Sequence, residues 1–397
     1  MRIAYVTALF PHEQGEGFLI EEVRALSAHF DIFIFPVRLE TKLPYHPVEA
    51  ATVFGCPLIS WKILVVSLLE FFRRPFLTVS ILAKLVAADL RLRIILKNLA
   101  VAPKALWLAS RVRYLHIEHI HAHWAGTSAT MAWMAASIVN VPWSFTAHRW
   151  DIDEANALSS KLRSASFARA ISRRGLEQLR KAQPNARLMH IPMGVAIPAT
   201  FWEPTSSREL RLFVPANMFT VKGHKYLLFA LARLEKGSVV MSCDFAGSGP
   251  EQDRLVQLVT DLHLESVVRF LGTIPQDEVI DRYRLRTVDA VVLPSIITQL
   301  GEQEGVPVAL MEAMAYAVPV IATRTGAIPE LVEDAGLLVP PQDSEALRDA
   351  IVRMAEPEVR RQLGCAGRQR VCDRYDILIT AKSLADAIAE GQAQSAL

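Results

Sequence analysis

The stretch that decides the fold is GEQEGVPVALMEAMAYAVPVIATRTGAIPE, which runs from Gly301 to Glu330. Its middle is rich in Ala, Leu and Met, which are good helix formers. Pro307 suits the first turn of a helix, because the N–H that proline lacks is not needed there. The stretch therefore predicts a helix that begins near residues 305–308, followed by the β-rich run PVIATR.

Two glutamates lie eight positions apart in this stretch, Glu304 before the helix and Glu312 about two turns inside it. The free N–H groups and positive dipole end of the helix would bind phosphate, and Gly305 lets the backbone approach an anion. Glu304 would then reach the far side of a bound diphosphate, and Glu312 would accept hydrogen bonds from hydroxyls such as those of a ribose. If only the spacing is considered, the alternative to a binding site is that Glu304 is an exposed acid in a loop and Glu312 an acid on the helix surface.

The rest of the chain alternates short β-rich runs with helix-period segments, which predicts an α/β fold of parallel, doubly wound sheets. One series runs from RIAYVTAL to FARAIS and a second from RLFVPANM to GLLVP, separated by the non-periodic VAIPATFWEPTSSRELR. We expect two Rossmann-like domains, residues 1–197 and 198–375, that face a cleft at the carboxyl ends of their strands. Residues 376–397 would form a helix that crosses back to the first domain.

Residues 61–113 form a basic, apolar segment with ten Lys or Arg and two acids, a local charge of +8. The longest gap between charges is nine residues, far short of the ~20 apolar residues that a spanning helix needs. The pattern is typical of helices that lie in a membrane interface, where anionic lipid adds roughly 1 kcal/mol per well-placed cation. The alternative is a helical hairpin that packs on a core and exposes a solvated basic face.

Composition narrows the possible functions. The 397 residues carry a net charge of +2, so no global electrostatic argument favours nucleic acid. The four cysteines form no CxxC pair, which fits a reducing compartment. The first residues have one arginine and no lysine and then form a predicted buried strand, so we expect no signal peptide.

Four motifs carry a resemblance to a known family. The glutamate block closely resembles the glutamate-x7-glutamate signature of retaining GT-B glycosyltransferases of the family 4 type, and its QEGVPVALMEAMA core looks most like the exopolysaccharide, colanic-acid-type branch. SFTAHRWDID resembles the family's acceptor-domain histidine motif, FTVKGHKYLLFALARL its lysine-glycine phosphate motif, and FAGSGPEQDRL its third glycine motif. In family order, these motifs span about residues 1–375, and the resemblance implies the GT-B fold.

The resemblance also implies residue roles. Glu304 and His148 would act at the donor sugar, Glu312 would hold the ribose, and Lys222 would neutralise the diphosphate leaving group. The other donor-binding residues that it implies are Gly15, Gly17, Asn217, Gly247, Gly249, Ser295, Gly305, Val306 and Pro307. From the residues alone, the alternatives are a solvated lysine, a core or capping histidine, a capping serine and glycines that serve only turns.

One position departs from the family pattern. The family usually places an arginine five residues before the lysine, where this chain has Asn217. An amide donates hydrogen bonds but brings no charge. Either Arg149, Arg324 or Lys225 supplies the second cation, or the leaving group is stabilised less.

Two patterns resemble metal sites but carry little weight. HIHAHW places three histidines on one side of a strand, without an acid or cysteine at a persuasive ligand spacing. Asp151 and Asp153 form a short Asp-x-Asp, far along the chain from the donor motifs. We expect a metal-independent enzyme with no cofactor, whose substrate is a UDP- or GDP-linked sugar.

The expected function is a retaining glycosyltransferase that acts on a lipid-linked saccharide in exopolysaccharide or cell-envelope glycan synthesis. The basic segment predicts a cytoplasmic protein that is peripheral on the inner face of the cytoplasmic membrane. The alternatives are a non-catalytic relative that binds sugar nucleotides or saccharides in a polysaccharide assembly machine, and another two-domain enzyme such as a sugar-nucleotide epimerase or a glycan phosphorylase.

Overall fold

The computed structural model of the chain describes residues 1–12, 16–41, 43–201, 203, 210–234 and 241–395. The chain divides into two compact units, Met1–Gly194 with the chain from Ile377 onward, and Val195–Asp376. Each unit is built on one parallel sheet, which confirms the predicted α/β class.

The first unit has a seven-stranded parallel sheet in the order β3-β2-β1-β4-β5-β6-β7. Its strands are β1 (Arg2–Thr7), β2 (Asp31–Pro36), β3 (Thr52–Val53), β4 (His119–His123), β5 (Trp143–Ala147), β6 (Phe167–Ala170) and β7 (Leu188–His190). Its helices before the second unit are α1 (Leu19–Leu26), α2 (Trp61–Arg73), α3 (Pro75–Ala87), α4 (Leu92–Tyr114), α5 (Thr127–Val139), α6 (Arg149–Glu154), α7 (Leu158–Ser164) and α8 (Arg173–Ala182). The strand order reverses between β1 and β4, which is where open α/β sheets bind ligands.

The core of the first unit forms around α5, which carries no charged residue and packs against both the sheet and α4. Met131 and Met134 of this helix are fully buried, as are the strand residues of β4 and β5 that flank it. The uncharged stretch from His119 to His148 is thus strand, helix and strand inside a core, as its composition predicts.

The basic segment forms three helices, α2, α3 and α4, and not a two-helix hairpin. Pro75 begins α3, and Pro103 lies inside α4, where its carbonyl accepts a hydrogen bond from the Ser67 hydroxyl. Lys104 points into the core, and its Nζ donates to the Val37 carbonyl at 3.0 Å. One face of the segment is therefore structural. In the part of the chain that the structure describes, no helix combines the length and the apolar run needed to cross a bilayer.

The second unit has a six-stranded parallel sheet in the order β10-β9-β8-β11-β12-β13. Its strands are β8 (Leu210–Pro215), β9 (Met241–Ala246), β10 (Val268–Gly272), β11 (Ala290–Leu293), β12 (Val320–Thr323) and β13 (Leu337–Val339). Its helices are α9 (His224–Ala232), α10 (Gln252–Asp261), α11 (Gln276–Arg284), α12 (Val308–Ala315), α13 (Ile328–Val332), α14 (Ser344–Met354) and α15 (Pro357–Arg374). The last helix, α16 (Ile377–Ser395), packs against α1 and belongs to the first unit.

Candidate active site

Three polar side chains meet where the strand order of the second unit reverses, between β8 and β11. Lys222 ends the short 3-10 helix Thr220–Lys222 after β8, and its Nζ lies 2.7 Å from Glu304 Oε2. Ser295, which follows β11, donates from its hydroxyl to the same oxygen at 2.9 Å. The structure brings these three predicted residues together because the loops after adjacent parallel strands share one edge of the sheet.

Partial burial strengthens the electrostatic effect of the charges on Lys222 and Glu304. The side chains of Lys222 and Glu304 are 22% and 11% exposed, so both are accessible but poorly solvated. A charge in such a position acts more strongly on a neighbouring anion than it would in bulk water. The cluster can therefore offer an ammonium group to a phosphate and carboxylate oxygen to hydroxyls.

The entrance of α12 lies directly after Glu304. The helix begins at Val308, and Pro307 is its N-cap with an extended backbone (ψ 106°), one position earlier than the predicted first-turn role. Gly305 and Val306 lie in the loop between Glu304 and this cap, and a Cβ at Gly305 would meet nothing within 4 Å. The backbone is open here, and the first N–H groups of a helix have no partner within the helix.

Gly326 holds the backbone of Glu304 in place, a role that the sequence motifs did not indicate. It follows β12 with a left-handed φ of 54°, and a Cβ there would lie 1.8 Å from the Glu304 carbonyl oxygen. The Thr323 hydroxyl, at the end of the same strand, donates to the Ser295 carbonyl. The glycine was visible in RTGAIPE, but its importance depends on a contact with residues about 20 positions away.

Glu312 lies in the fifth position of α12, so it is just over one turn inside the helix and not the predicted two. Its Oε1 accepts a hydrogen bond from Gln276 Nε2 at 2.5 Å, and Gln276 is a second residue that the motifs did not indicate. Burial raises the pKa of Glu312 to about 7, although the hydrogen bond from Gln276 works in the opposite direction. A half-buried carboxyl of this kind is well suited to accept hydroxyl hydrogen bonds.

Gly247 and Gly249 allow two neighbouring loops to touch. With φ of 149° and 158°, they place the loop after β9 so close to the loop after β8 that Cβ atoms would lie 2.5 Å from the Ala216 carbonyl and 2.6 Å from the Met218 carbonyl. Asn217 lies between these carbonyls and is exposed. This packing explains both glycines, and their contact with a nucleotide stays a prediction.

The second cation that the family pattern requires has three candidates. Arg149 belongs to the first unit, where its guanidinium stacks on Trp150 at 3.9 Å and pairs with Asp153 at 3.6 Å. Lys225 is the second residue of α9, and Arg324 is exposed in the loop of Gly326. Arg324 therefore shares a loop with the residue that positions Glu304, which makes it the best placed of the three.

In the first unit, His148 belongs to a buried hydrogen-bonded chain that begins after β5. Its Nε2 lies 2.7 Å from His123 Nε2, and His123 Nδ1 lies 2.9 Å from the Tyr5 hydroxyl. Tyr5 donates to Glu22 Oε1 at 2.5 Å, and Arg169 Nη1 donates to Glu22 Oε2 at 2.7 Å. The sequence motifs indicated only His148, although an arginine inside the buried strand FARA was a signal for such a network.

The charge of Glu22 determines the direction of the hydrogen bonds that link Glu22, Tyr5, His123 and His148. The partners of Glu22, with Arg169 foremost among them, outweigh its burial and hold its pKa well below the usual range, so it accepts from Tyr5. The Tyr5 hydroxyl then accepts from Nδ1–H of His123, and with a neutral His123 ring the remaining acceptor, His123 Nε2, accepts from Nε2–H of His148. Burial lowers the pKa of His148 well below its usual range, in keeping with a neutral ring. His148 is thus held in one tautomer, and its action on a sugar stays a prediction.

The two metal-like patterns have structural explanations. Asp151 accepts hydrogen bonds from the backbone N–H groups of His148, at 2.7 Å, and of Ala125. His119 and His121 share the Ser144 hydroxyl, each at 2.8 Å. Among the residues that the structure describes, no group of three or more His, Cys, Asp or Glu is arranged to hold a metal ion.

The predicted glycine pair before α1 is only partly described. Gly15 lies outside the described residues, whereas Gly17 is buried two residues before the start of α1. Next to it, Glu16 accepts hydrogen bonds from Trp124 Nε1 at 2.6 Å and from the Leu9 amide at 3.0 Å. The approach of this loop to a donor phosphate stays a prediction.

Part of the chain is similar in sequence to known glycosyltransferases. Residues 201–370 match the family model described as Glycosyl transferases group 1. Over 189 residues, the chain is 34% identical to the putative colanic acid biosynthesis glycosyltransferase WcaL of Escherichia coli (strain K12), a match that covers 47% of this chain and 42% of that relative. The resemblance to the colanic-acid-type branch is confirmed, over less than half of the relative's length.

Solved structures establish the fold of the whole chain. Sucrose-phosphate synthase from Thermosynechococcus elongatus superposes with a TM-score of 0.73 at 18% identity, over 99% of this chain and 100% of that one. HepE from Anabaena, solved in complex with UDP and glucose, gives a TM-score of 0.70 at 19% identity, over 98% and 100%. At these identities the likeness concerns the fold alone, and it confirms the predicted GT-B class.

Proposed function

We propose that the chain is a retaining glycosyltransferase that moves a sugar from a UDP- or GDP-linked donor to a hydroxyl of a lipid-linked saccharide, in exopolysaccharide or cell-envelope glycan synthesis. The observation that carries the proposal is the cluster of Lys222, Glu304 and Ser295 beside the open entrance of α12. The family of residues 201–370, the name of the E. coli relative and the UDP and glucose bound to HepE support it.

The reaction that fits this site is a front-face substitution. The bond between the anomeric carbon and the diphosphate oxygen breaks, and the acceptor oxygen bonds to the same face of that carbon. The acceptor proton passes to the leaving diphosphate. Lys222 stabilises the negative charge that grows on the diphosphate, and Glu304 positions a sugar hydroxyl and stabilises the positive charge at the reacting carbon. Glu312 holds the ribose.

The proposal of a lipid-linked acceptor is based on the exposed surface of the basic segment, residues 61–113. Large apolar side chains on α2, α3, the start of α4 and the loop before α4 are exposed, with Trp61 at 81%, Phe76 at 91% and Leu90, in that loop, at 82%. The others exposed there are Leu64, Val65, Leu68, Leu69, Phe72, Val79, Leu92, Leu96 and Leu99. An apolar surface of this extent on a basic segment fits insertion into an anionic membrane interface. We therefore place the protein in the cytoplasm, on the inner face of the cytoplasmic membrane.

A transfer assay tests the reaction. Membrane extracts that contain lipid-linked saccharides, together with a labelled nucleotide sugar, should yield a lipid-linked product of retained anomeric configuration. Glu304→Ala should lower both transfer and donor hydrolysis at least about 100-fold, because it removes the acid at the reacting centre. Unchanged turnover in this variant would remove Glu304 from the site.

A second candidate function is a non-catalytic protein that binds sugar nucleotides or saccharides. The exposed Asn217 favours it, since the family pattern has a second cation there. Calorimetric donor binding without turnover across many acceptors would support this alternative over transfer.

A further inference from the structure

A groove on the first unit lies between three helices of which the proposed reaction uses none. It has a volume of about 570 Å³ and is formed by one face each of α3, α5 and α7. Leu77, Ile81 and Trp133 contribute its apolar surface. Ile81 and Trp133 are almost completely buried, so they form a floor beneath an open cleft. The volume lies within the ~300–1,000 Å³ typical of small-molecule sites.

The rim of the groove is positively charged and rich in hydroxyls. Lys84 from α3 and Arg163 from α7 line it, with Ser137, Ser160 and Ser164. Arg163 Nη2 donates to Ser160 Oγ at 3.1 Å, which steadies the guanidinium. No acid lines the groove, and across the described ranges neither Lys84 nor Arg163 forms an ion pair. Two unneutralised cations with hydroxyl donors beside them suit an oxyanion, and phosphate in particular.

The apolar floor distinguishes between a free ion and a larger ligand. A free phosphate would use only the rim and leave the floor exposed to water. A ligand with a phosphate and a hydrocarbon chain would use both, because burial of apolar surface contributes roughly 25 cal/mol per Å². The groove also adjoins the exposed apolar surface, since α3 carries Phe76 and Val79 outward and Leu77 and Ile81 toward the groove. A lipid is therefore the ligand that the surroundings favour.

We propose that this groove binds a single phosphorylated lipid, with the phosphate between Lys84 and Arg163 and the hydrocarbon along Leu77, Ile81 and Trp133. The inference rests on the proposed function in one respect, since a protein at a membrane surface meets such lipids. The groove supplies a specific contact in addition to the diffuse attraction between the basic segment and an anionic bilayer.

Calorimetry with a short-chain lipid below its micelle concentration tests the site on the full chain. Dihexanoyl phosphatidic acid should bind with one-to-one stoichiometry, and dihexanoyl phosphatidylcholine and inorganic phosphate should each bind at least about tenfold more weakly. The double variant Lys84→Gln/Arg163→Gln should lose at least about tenfold in affinity for phosphatidic acid. Ala87→Trp, which fills the groove from its exposed edge, should lose a similar amount.

A matched control separates the groove from general charge. Lys62→Gln/Arg93→Gln removes two exposed cations of the basic segment that lie outside the groove, and it should leave binding of phosphatidic acid within about twofold. Equal losses in both double variants, or equal binding of inorganic phosphate, would overturn the proposal in favour of diffuse electrostatics or an adventitious ion. If the unmodified chain dimerises and Ala87→Trp abolishes the dimer, the groove would instead be assigned to a second copy of the chain.

Donor hydrolysis keeps this proposal separate from the proposed reaction. The Lys84→Gln/Arg163→Gln variant should hydrolyse donor at the rate of the unmodified chain, because neither residue belongs to the donor site. Lipid binding without any transferase activity would contradict the proposed function alone, and transferase activity without lipid binding would contradict the groove alone.

Discussion

Lys222 and Glu304 form an ion pair, with Lys222 Nζ 2.7 Å from Glu304 Oε2, and Ser295 donates to the same carboxylate oxygen. The pair lies across the strand reversal of the second unit, so the chain holds a cation and an acid together before any substrate arrives. A diphosphate that enters has to compete with Glu304 for the ammonium group. The site is therefore already organised, and donor binding exchanges one partner of Lys222 for another.

The first prediction concerns the charge of Lys222. Lys222→Gln should lower kcat for transfer about 100-fold or more, because the growing charge on the leaving diphosphate loses its cation. Lys222→Arg should retain part of the rate. The matched control is Arg353→Gln, which removes an exposed cation from the last turn of α14. Steady-state kinetics measures kcat for each variant. Equal rates in Lys222→Gln and the control would exclude Lys222 from the reaction.

The second prediction concerns Gly326. An alanine there would need a left-handed backbone and would place its Cβ 1.8 Å from the Glu304 carbonyl oxygen. Gly326→Ala should therefore destabilise the fold by about 2 kcal/mol or more and raise the KM for donor. Gly301→Ala is the control, since Gly301 also has a positive φ (78°) but would meet nothing within 4 Å, so only about 1 kcal/mol of backbone strain applies. Urea unfolding compares the two, and equal losses would mean that the contact with Glu304 costs nothing.

The third prediction concerns the buried chain behind His148. Tyr5→Phe removes the hydroxyl oxygen that accepts from Nδ1–H of His123, which leaves only Glu22 Oε1 at 3.5 Å, and it takes one donor from Glu22, so it should cost about 1–3 kcal/mol of stability. Nitrogen-15 NMR should show His123 protonated at Nδ1 and His148 at Nε2 in the unmodified chain, and a mixture of tautomers in the variant.

A matched tyrosine controls for the loss of a buried hydroxyl. Tyr283 is also fully buried, and within the described part of the chain its hydroxyl has no hydrogen-bond partner. Tyr283→Phe should therefore not lower stability, because it removes a hydroxyl that has no partner, and it should leave the histidine tautomers unchanged. Protonation of His148 at Nδ1 in the unmodified chain would contradict the assigned direction of the hydrogen bonds.

The fourth prediction concerns pH and Glu312. Its folded-state pKa of about 7 lies above the ~4.3 of an exposed glutamate. The folded state therefore binds the proton more tightly, and this carboxyl makes the protein less stable as the pH rises from about 4.3 to 7, with no further change above. Glu312→Gln should stabilise the protein by up to about 3 kcal/mol at pH 8, since each unit of pKa shift is worth about 1.4 kcal/mol, and have no effect near pH 4. The same variant should weaken donor binding, because a neutral amide accepts ribose hydrogen bonds less strongly.

Denaturant unfolding at the two pH values measures the stability effect of Glu312→Gln. Glu265→Gln, an exposed glutamate in the same unit, serves as the control and should show no difference between pH 4 and pH 8. A gain in stability that is the same at pH 4 and pH 8 would show that titration of Glu312 is not its cause.

The fifth prediction concerns the membrane surface. Phe72→Asp/Phe76→Asp should reduce co-sedimentation with phosphatidylglycerol vesicles at least about tenfold, since both side chains are exposed on the basic segment. Leu285→Asp, which changes a side chain of similar exposure in the second unit, should have no effect. Binding of the unmodified chain should fall with added salt. Equal behaviour of the two variants would remove this surface from the membrane interface.

The sequence was sufficient for the fold because each element is specified locally. In residues 301–330, the helix-forming residues and the proline predict α12, and the β-branched PVIAT predicts β12, without reference to any distant part of the chain. Lys222, Ser295 and Glu304 were implied by the family resemblance, and each lies in a loop after a predicted strand or beside one. In an α/β fold, such loops converge at one edge.

The remaining site residues depend on partners that sequence does not reveal. His123 lies 118 positions from Tyr5, and Arg169 lies 147 positions from Glu22, so their pairing is a product of strand order. Gln276 meets Glu312 across 36 positions in the same way. The predicted position of Glu312, about two turns inside α12, was wrong because the helix begins after Pro307 and not before it. Composition can indicate that such residues are buried, but it cannot name their partners.

The most direct test of the central claim is a thermal-shift panel of UDP- and GDP-linked sugars, because a ligand that binds only the folded state raises the Tm. At least one nucleotide sugar should raise the Tm of the unmodified chain, and Lys222→Gln and Glu304→Ala should reduce this shift while Arg353→Gln does not. No shift with any nucleotide sugar, or a shift that both variants retain in full, would contradict a donor site at Lys222 and Glu304.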